Sequence, residues 1–319
     1  MRRIASWMFL LACAPQVLAQ AYPAKPVRIV VPYSAGGGTD IVARAVGQKL
    51  NEKWGQSVIV DNRVGANGII GADAVAKSPP DGHVLLMATP AEVSTNPHLY
   101  PSIPYNAARD FAPITLIAVT PLVVAVYPGV PAKSIAELIA LAKEKPGTMG
   151  FATPGTGGAQ HLTGEMLMMF AGIRLVHVPY KGAGQSIPDV IGGQVPIGIY
   201  GVLTISQHVK AGRLRVLAVT TPKRSTAYPD FPTLSESGFP GFDTSLWFGL
   251  LAPGATPRDI VTRIHDDVIQ VLKLPDVKER ISAQGAEIVA DTPAEFAAFI
   301  AAESAKYAKI IRQAGVKLD

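Results

Sequence analysis

The chain has 319 residues, of which 48% are hydrophobic and 17% charged, with 30 glycines and 27 prolines. This composition is typical of a globular protein rich in turns and excludes a disordered chain. The formal net charge of +5 falls to 5 − 2 = +3 once Arg2 and Arg3 of the N-terminal segment are set aside. The sequence has no basic run or basic–aromatic stripe, so we expect no nucleic-acid partner.

Residues 1–21 have the features of a secretory signal peptide, which predicts a periplasmic protein. Two arginines precede an apolar run, Ile4–Ala12, and Ala19-Gln20-Ala21 fits a cleavage site, with cleavage after Ala19 as the alternative. The segment is too short to span a bilayer. The only cysteine, Cys13, lies within it, so the mature chain lacks disulfides and thiolate ligands. A lipoprotein anchored through Cys13 is the less favoured alternative.

Strands alternate with helices in the first part of the mature chain. The pattern predicts a strand, a helix and two further strands at Val27–Val31, Asp40–Leu50, Gly55–Val60 and Val84–Ala88. This alternation indicates a mostly parallel sheet covered on both faces. A long extended run, residues 113–127, follows and is interrupted at Thr120-Pro121. Because proline disfavours a preceding helix, we expect this run to cross between two domains.

The second half of the chain repeats this organisation. A helix capped by Ser134 leads into "MGFATPGTGGAQHLTGE", which resembles the earlier "VVPYSAGGGTDIVAR" and aligns Gly157-Gly158 with Gly37-Gly38. Two such turns indicate two similar lobes that face each other. A long C-terminal helix, capped by Thr292 with Glu295 in a capping box, is expected to pack on the first lobe. The predicted lobes are residues 22–120 with 222–319, and residues 121–221.

The glycine turns suit an anion that approaches the main chain. A strand that runs into a helix N-terminus presents unpaired N–H groups and the positive end of the helix dipole. Neither turn has the lysine of a P-loop or a complete G-x-G-x-x-G pattern, and Ser34 does not fit a nucleophile elbow. The histidines have no metal-ligating spacing and no carboxylate pair suits acid–base chemistry. We therefore expect no catalysis, no metal and no cofactor, and a carboxylate is the simplest remaining anion.

Several blocks together resemble the Bug-type periplasmic receptors, the solute-binding components of tripartite tricarboxylate transporters. The blocks are "YPAKPVRIVVPYSAGGGTDIVAR", "DNRVGANGIIGADAVAKSPPDGHVLL", "FATPGTGGAQHLTGE", "VPYKGAGQSIPDVIGGQV" and "KAGRLRVLAVTTPKR", and they cover essentially the whole mature chain. The resemblance implies an α/β periplasmic-binding-protein (Venus flytrap) fold of two lobes. It also implies a small ligand, usually a carboxylate, in the cleft between them, and membrane permease subunits as partners.

The resemblance also implies which residues bind the ligand. They lie in the first glycine turn, in the loop after the third strand, in the second glycine turn and in the "YKG" segment: Tyr33, Ser34, Ala35, Gly36, Gly37, Gly38, Asp40, Thr89, Pro90, Ala91, Gly155, Thr156, Gly157, Gly158, His161, Tyr180 and Lys181. The chain departs from the family pattern at Pro154 and Gly158, where serine or threonine is common, which leaves Thr153 and Thr156 as nearby hydroxyls. It also has Tyr200 where an aspartate is common.

Some of these residues have a structural alternative. Asp40 would favour the helix dipole without touching the ligand, and Lys181 would be either a surface lysine or a counterion to a carboxylate. Trp247 and Phe248 would pack in the core or stack on a ligand ring. Glu92 would face outward or pair with a ligand amine.

We predict a monomeric extracytoplasmic receptor for a carboxylate without an amino group, either a dicarboxylate or an aromatic carboxylate. The basis is that an ammonium buried without a carboxylate partner is costly, and Tyr200 replaces the acid that relatives often have. A ligand sensor that feeds a signalling partner, and an enzyme on the same scaffold, are the alternatives.

Overall fold

The computed structural model describes residues 22–225, 228–282 and 285–316. The predicted signal peptide, with both cleavage sites and Cys13, lies outside these residues. Within them, none of the helices combines the length and the apolar character that a membrane crossing requires.

Strands and helices alternate along the described residues. The strands are β1 (Val27–Val31), β2 (Val58–Asn62), β3 (Val84–Ala88), β4 (Phe111–Val126), β5 (Gly150–Thr153), β6 (Val176–Pro179), β7 (Ile197–Gly201), β8 (Arg215–Val219), β9 (Ser245–Pro253) and β10 (Glu287–Ile288). The helices are α1 (Gly38–Trp54), α2 (Ile69–Ala76), α3 (Asn96–Leu99), α4 (Ile135–Glu144), α5 (Ala159–Ala171), α6 (Ala183–Ile191), α7 (Val202–Lys210), α8 (Arg258–Leu272), α9 (Pro275–Ser282) and α10 (Pro293–Ala314). A 3₁₀ turn, Ala66–Gly68, precedes α2, and a π-helical turn, Ala91–Thr95, precedes α3 and is called the π-turn below.

Most of the predicted elements are confirmed, with small shifts at their ends. The strands β1 and β3 have the predicted bounds, and the capping box at Thr292 and Glu295 is present. The second strand starts at Val58 rather than Gly55, because Gly55 adopts a left-handed conformation (φ 63°) and forms the C-cap of α1.

The strands form one sheet that has two halves and branches twice at β4. In the first half the order is β2-β1-β3-β9-β4, and in the second it is β4-β7-β5-β6, with β8 and β10 also paired to β4. We call these halves and the helices on them the first and second lobes. Within each lobe the strands around the glycine turn are parallel, while β4 and β9 run antiparallel to their neighbours. The sheet is therefore mixed, because β9 runs opposite to β3 and β4 in the first lobe and β4 runs opposite to β7 in the second.

The long strand β4 joins the two lobes. It pairs with β9 as far as Pro121, opposite Ser245, and with β7 from Leu122, opposite Gly201. The predicted break at Thr120-Pro121 is therefore the point where one continuous strand changes partners. Proline suits this position because it has no N–H to contribute to a ladder.

The chain returns to the first lobe just before β9. Residues 228–242 still pack on the second lobe, where Tyr228 and Phe231 lie against its core and Phe242 contacts Phe170 of α5. At the crossing, Thr220 donates its hydroxyl proton to the carbonyl of Thr244 (2.7 Å).

The C-terminal helix α10 packs on the π-turn, α3 and β4 of the first lobe, and also on α5 of the second.

Candidate functional site

The two glycine turns have the same local geometry. Gly37 (φ −78°, ψ 167°) is the N-cap of α1 and Gly158 (φ −75°, ψ 170°) is the N-cap of α5, and no side chain caps either helix. The residue before each N-cap has a positive φ, 80° at Gly36 and 84° at Gly157. The correct equivalence is therefore Gly36-Gly37 with Gly157-Gly158, one residue away from the predicted alignment. Both helices leave first-turn N–H groups free for an anion.

Asp40 closes the first turn from behind. Its Oδ2 atom accepts hydrogen bonds from the Gly36 amide (3.0 Å) and from Nε of Arg44 (2.9 Å), and its Oδ1 atom accepts from Asn62 (3.0 Å). Burial alone would raise the pKa of Asp40, but these hydrogen bonds outweigh it and lower the pKa below its usual value. Asp40 is thus an ionised group that shapes the turn through its hydrogen bonds to Gly36, Arg44 and Asn62.

His161 has the equivalent role in the second turn. Its Nδ1 atom accepts a hydrogen bond from the Gly157 amide (2.9 Å), four residues earlier, as Asp40 accepts from Gly36. The ring stacks on His177 with centroids 3.9 Å apart, and His177 Nε2 lies 2.7 Å from the hydroxyl of Thr153. Burial and the neighbouring His161 lower the pKa of His177 to about 3. The two histidines are therefore part of the second-lobe interior.

A small cavity of about 30 Å³ lies between the two turns. Its lining comes from both lobes and consists of Tyr33, Gly37, Gly38, Thr39, Asn67, Thr89, Pro154, Gly155, Gly158, Gln160, Ala183, Thr204 and Leu246. None of these residues carries a charge. An outer pocket of about 270 Å³ shares four of them and adds Pro32, Gly65, Ala66, Gly68, Tyr100, Thr156, Pro179, Tyr180 and Lys181.

The lobes touch around this cavity. The Ser34 amide donates to the carbonyl of Lys181 (3.2 Å), and the hydroxyl of Thr95 in the π-turn donates to the carbonyl of Gly157 (2.8 Å). Both hydrogen bonds join the first lobe to the second. The structure therefore has a closed cleft.

A larger groove, of about 720 Å³, lies on the first lobe between α10 and the segment that joins α3 to β4. Apolar side chains such as Ile103, Phe111 and Ile300 dominate its lining, and neither glycine turn reaches it. Since the free amides converge on the central cavity, that cavity is the candidate anion site despite its smaller volume.

The predicted site residues divide into two groups. Nine line the cavity or the outer pocket: Tyr33, Gly37, Gly38, Thr89, Gly155, Thr156, Gly158, Tyr180 and Lys181. The other ten do not: Ser34, Ala35, Gly36, Asp40, Pro90, Ala91, Thr153, Gly157, His161 and Tyr200. Several of the second group hold the turns in place, as Thr153 does by donating its hydroxyl proton to the carbonyl of Gly155 (2.9 Å).

Tyr200 does not reach the cleft. Its side chain is fully buried in the second-lobe core with Val123 and Ile187. Successive residues of a strand face opposite sides, so the next residue, Gly201, lies against Thr120 and the cavity residue Leu246. The aromatic face that the sequence placed at the ligand is therefore on the other side of β7.

Three further residues with two possible roles, Trp247, Phe248 and Glu92, all lie outside the cavity lining. Trp247 and Phe248 are buried in the core, and Trp247 Nε1 donates to Glu303 (3.2 Å). Glu92 is fully buried rather than outward-facing, and its Oε2 atom accepts from the amide (2.7 Å) and the hydroxyl (2.9 Å) of Thr89. Burial raises the pKa of Glu92 to about 7, although these hydrogen bonds act in the opposite direction.

Asn67 lines the cavity although it was not among the predicted site residues. It adopts a left-handed conformation (φ 48°, ψ 44°), and its side chain donates to Asn96 (2.8 Å). Its Oδ1 atom lies 3.0 Å from the position a Cβ would take at Gly155, on the other lobe. The sequence around it, "GANG" at residues 65–68, could have indicated such a turn, because asparagine tolerates the left-handed conformation better than most residues. Thr39, Gln160, Ala183, Thr204 and Leu246 were also not predicted.

The sequence matches a known protein family over most of its length. Residues 42–316 match the model for the tripartite tricarboxylate transporter family receptor. The chain belongs to that family. Protein BugT of Bordetella pertussis is 38% identical to the receptor over 306 residues, which are 96% of this chain and 94% of BugT.

Two solved structures of the same fold contain small carboxylates. Rpa4515 of R. palustris, solved with adipate, has a TM-score of 0.90 and 34% identity, and the match covers 93% of the receptor and 99% of Rpa4515. MatC of Rhodopseudomonas palustris, with bound malate, has a TM-score of 0.87 and 27% identity over 91% of the receptor and 100% of MatC. The receptor therefore has the two-lobed periplasmic-binding-protein fold, with its cleft between the lobes.

Proposed function

We propose that the protein is a periplasmic receptor that captures a small carboxylate and delivers it to the membrane permease subunits of a tripartite transporter. The observation that carries this proposal is that the uncapped N-termini of α1 and α5 line opposite walls of one cavity. Each N-terminus favours a negative charge. Adipate in Rpa4515 and malate in MatC support the same ligand class.

The ligand is a carboxylate without an amino group. Two helix N-termini suit a ligand with a carboxylate at each end, and an aromatic carboxylate is the second candidate. The cavity lining has no Asp or Glu to pair with an ammonium, whose burial without a partner is costly. The uncharged lining of the cavity, rather than the buried Tyr200, is therefore the basis for excluding an amino group.

A thermal-shift panel tests the ligand class. We expect adipate or malate at roughly a hundred times its dissociation constant to stabilise the receptor by about 2.7 kcal/mol, or about 4 °C in melting temperature. Benzoate should give a smaller shift, and aspartate and glutamate little or none. Strong shifts with the two amino acids alone would contradict the proposal.

The proposed function also includes the export of the chain, its oligomeric state and the absence of catalysis. The signal peptide, residues 1–21, is cleaved and the mature chain is a periplasmic monomer that binds no nucleic acid and carries out no catalysis; anchoring through Cys13 and a sensory role are the alternatives. A ligand recovered unchanged after long incubation with the purified receptor supports binding without turnover.

We further propose that the lobes open and close about two crossings. The first is at Pro121–Leu122, where β4 changes partners, and the second is between Thr220 and Ser245. The first lobe then comprises residues 22–121 and 245–316, and the second residues 122–244, so the second boundary lies later than the predicted residue 222. A cavity this enclosed needs the lobes to separate for a ligand to enter.

Small-angle scattering tests the motion. Without ligand, the receptor should have a larger radius of gyration than the closed structure, and saturating adipate or malate should reduce it. An equal radius with and without a ligand that calorimetry shows to bind would refute the hinge motion.

A further inference from the structure

A chain of hydrogen-bonding groups runs from the buried carboxyl of Glu92 to the cavity. Glu92 Oε2 lies 2.9 Å from Thr89 Oγ1, which lies 3.2 Å from the hydroxyl of Tyr33. Thr89 and Tyr33 both line the cavity, whereas Glu92 does not. Glu92 Oε1 is fully buried and has no hydrogen-bond partner among the described residues.

The charge state of Glu92 determines which way these hydroxyl protons point. An ionised carboxylate only accepts hydrogen bonds, so it holds the Thr89 proton and Tyr33 must donate toward Thr89 or Glu92. Tyr33 then offers only lone pairs to the cavity. A protonated Glu92 donates to Thr89 Oγ1 instead, Thr89 donates to Tyr33, and the Tyr33 proton is free to face the ligand.

A carboxylate ligand distinguishes these two arrangements. It needs donors and is repelled by lone pairs and by a buried negative charge behind them. We propose that Glu92 is a positioning residue that turns the Tyr33–Thr89 hydroxyl pair toward the ligand, so that a carboxylate binds together with one proton taken from solvent onto Glu92. This inference rests on the proposed carboxylate-receptor function.

Among the residues that the structure describes, no positively charged group faces the Glu92 carboxyl. The titratable side chains that face it are the phenols of Tyr33 and Tyr105, and Tyr105 donates to the Glu92 carbonyl (2.9 Å). Other titratable groups on the elements around the π-turn have partners elsewhere among the described residues: Asp73 of α2 pairs with Lys77, His98 of α3 hydrogen-bonds Ser304, and Glu303 of α10 pairs with Lys306. The pKa of Glu92, raised to about 7 by burial, places its titration in the range where binding is measured.

Calorimetry in buffers of different ionisation enthalpy tests the proposal, with adipate and malate as probes. In the wild-type receptor near pH 8, where free Glu92 is mostly ionised, the buffer dependence should report uptake of most of a proton per ligand. The dissociation constant should be constant below pH 7 and rise up to about tenfold per pH unit above it, because the bound state holds the proton more tightly.

Glu92→Gln separates positioning from packing. Glutamine keeps its amide oxygen at the Oε2 position, because the Thr89 amide donates there (2.7 Å), so the Thr89 hydroxyl continues to donate to residue 92. This variant should therefore bind without proton uptake, with an affinity that does not change between pH 7 and pH 9 and that stays below the affinity of wild type at pH 7. Asp291→Asn is the matched control, because Asp291 is a partly buried carboxyl, hydrogen-bonded to the Leu116 amide (2.7 Å), that lies outside both pockets. Burial also raises the pKa of Asp291. Because Asp291 lies outside the site, its variant should keep the proton uptake and the pH dependence of wild type.

The outcomes separate this inference from the proposed function. Binding of adipate or malate with no buffer dependence and no change in affinity between pH 7 and pH 9 would overturn the role of Glu92 and leave the receptor proposal intact. Absence of binding by either probe at every pH would overturn the proposed function and this inference together.

Discussion

Gly184→Ala should leave the receptor folded and weaken adipate or malate binding at least a hundredfold, about 2.7 kcal/mol. Gly184 lies in the first turn of α6 and has no positive φ, so alanine fits its backbone without strain. A Cβ at this position would lie 2.3 Å from the carbonyl oxygen of Ala35, which belongs to the first lobe. A backbone carbonyl in a packed turn cannot move aside, so the closed cleft is blocked while each lobe remains intact.

Three measurements check this expectation. Circular dichroism and melting without ligand should match wild type, calorimetry should show the loss of affinity, and scattering should keep the open radius at high ligand concentration. Gly192→Ala, at the C-cap of the same helix, is the control, because its nearest new contact is the Pro188 carbonyl of α6 itself at 3.3 Å. Unchanged affinity in Gly184→Ala would show that the ligand does not bind in this closed arrangement.

Gly37→Val should also prevent ligand binding while changing the stability of the fold little. The backbone of Gly37 is extended, and a Cβ there would come no closer than 3.5 Å to the Ser34 carbonyl and 3.9 Å to Ala183. The fold therefore tolerates the first added carbon, but the two methyl groups of valine compete with the ligand for a cavity of about 30 Å³. We expect at least a hundredfold loss of affinity, about 2.7 kcal/mol, by calorimetry.

Gly157→Val tests the second turn in the same assay and should lose binding as well. Because Gly157 has a positive φ of 84°, valine also adds backbone strain of about 1–3 kcal/mol. Gly147→Val is the control for strain alone, since Gly147 has a φ of 75° and open space around it. If both turn variants bind like wild type, the glycine turns have only a structural role.

The sequence by itself determined the features that depend on neighbouring residues in the chain. The strand Val27–Val31, the glycine-led start of the helix after it and the capping box at Thr292 all follow from local patterns, and the structure has them. The repeated glycine turn indicated two facing lobes because a strand, a turn and a helix start are consecutive in sequence. The family resemblance was carried by the same local blocks.

The tertiary structure alone decided which side chains face the ligand. Asp40 and His161 turn back to hold the Gly36 and Gly157 amides, and neither lines the cavity. Tyr200 faces the core of the second lobe, and the adjacent Gly201 faces the opposite side of β7, against Thr120. The pairing of β7 with β4 determines which residue takes which side. A local pattern cannot specify this choice.

The same limit applies to residues brought together from distant parts of the chain. Asn67 and Gly155 meet across the cleft, and Glu92 is enclosed by groups from the first glycine turn, the loop after β3 and the segment before β4. Burial of that carboxyl, and hence its raised pKa, arises from packing between elements rather than from the surrounding sequence. The local sequence thus determined where the anion-binding turns are, and the packing of the two lobes determined which groups surround the anion, because side-chain direction and burial depend on contacts that are remote in the chain.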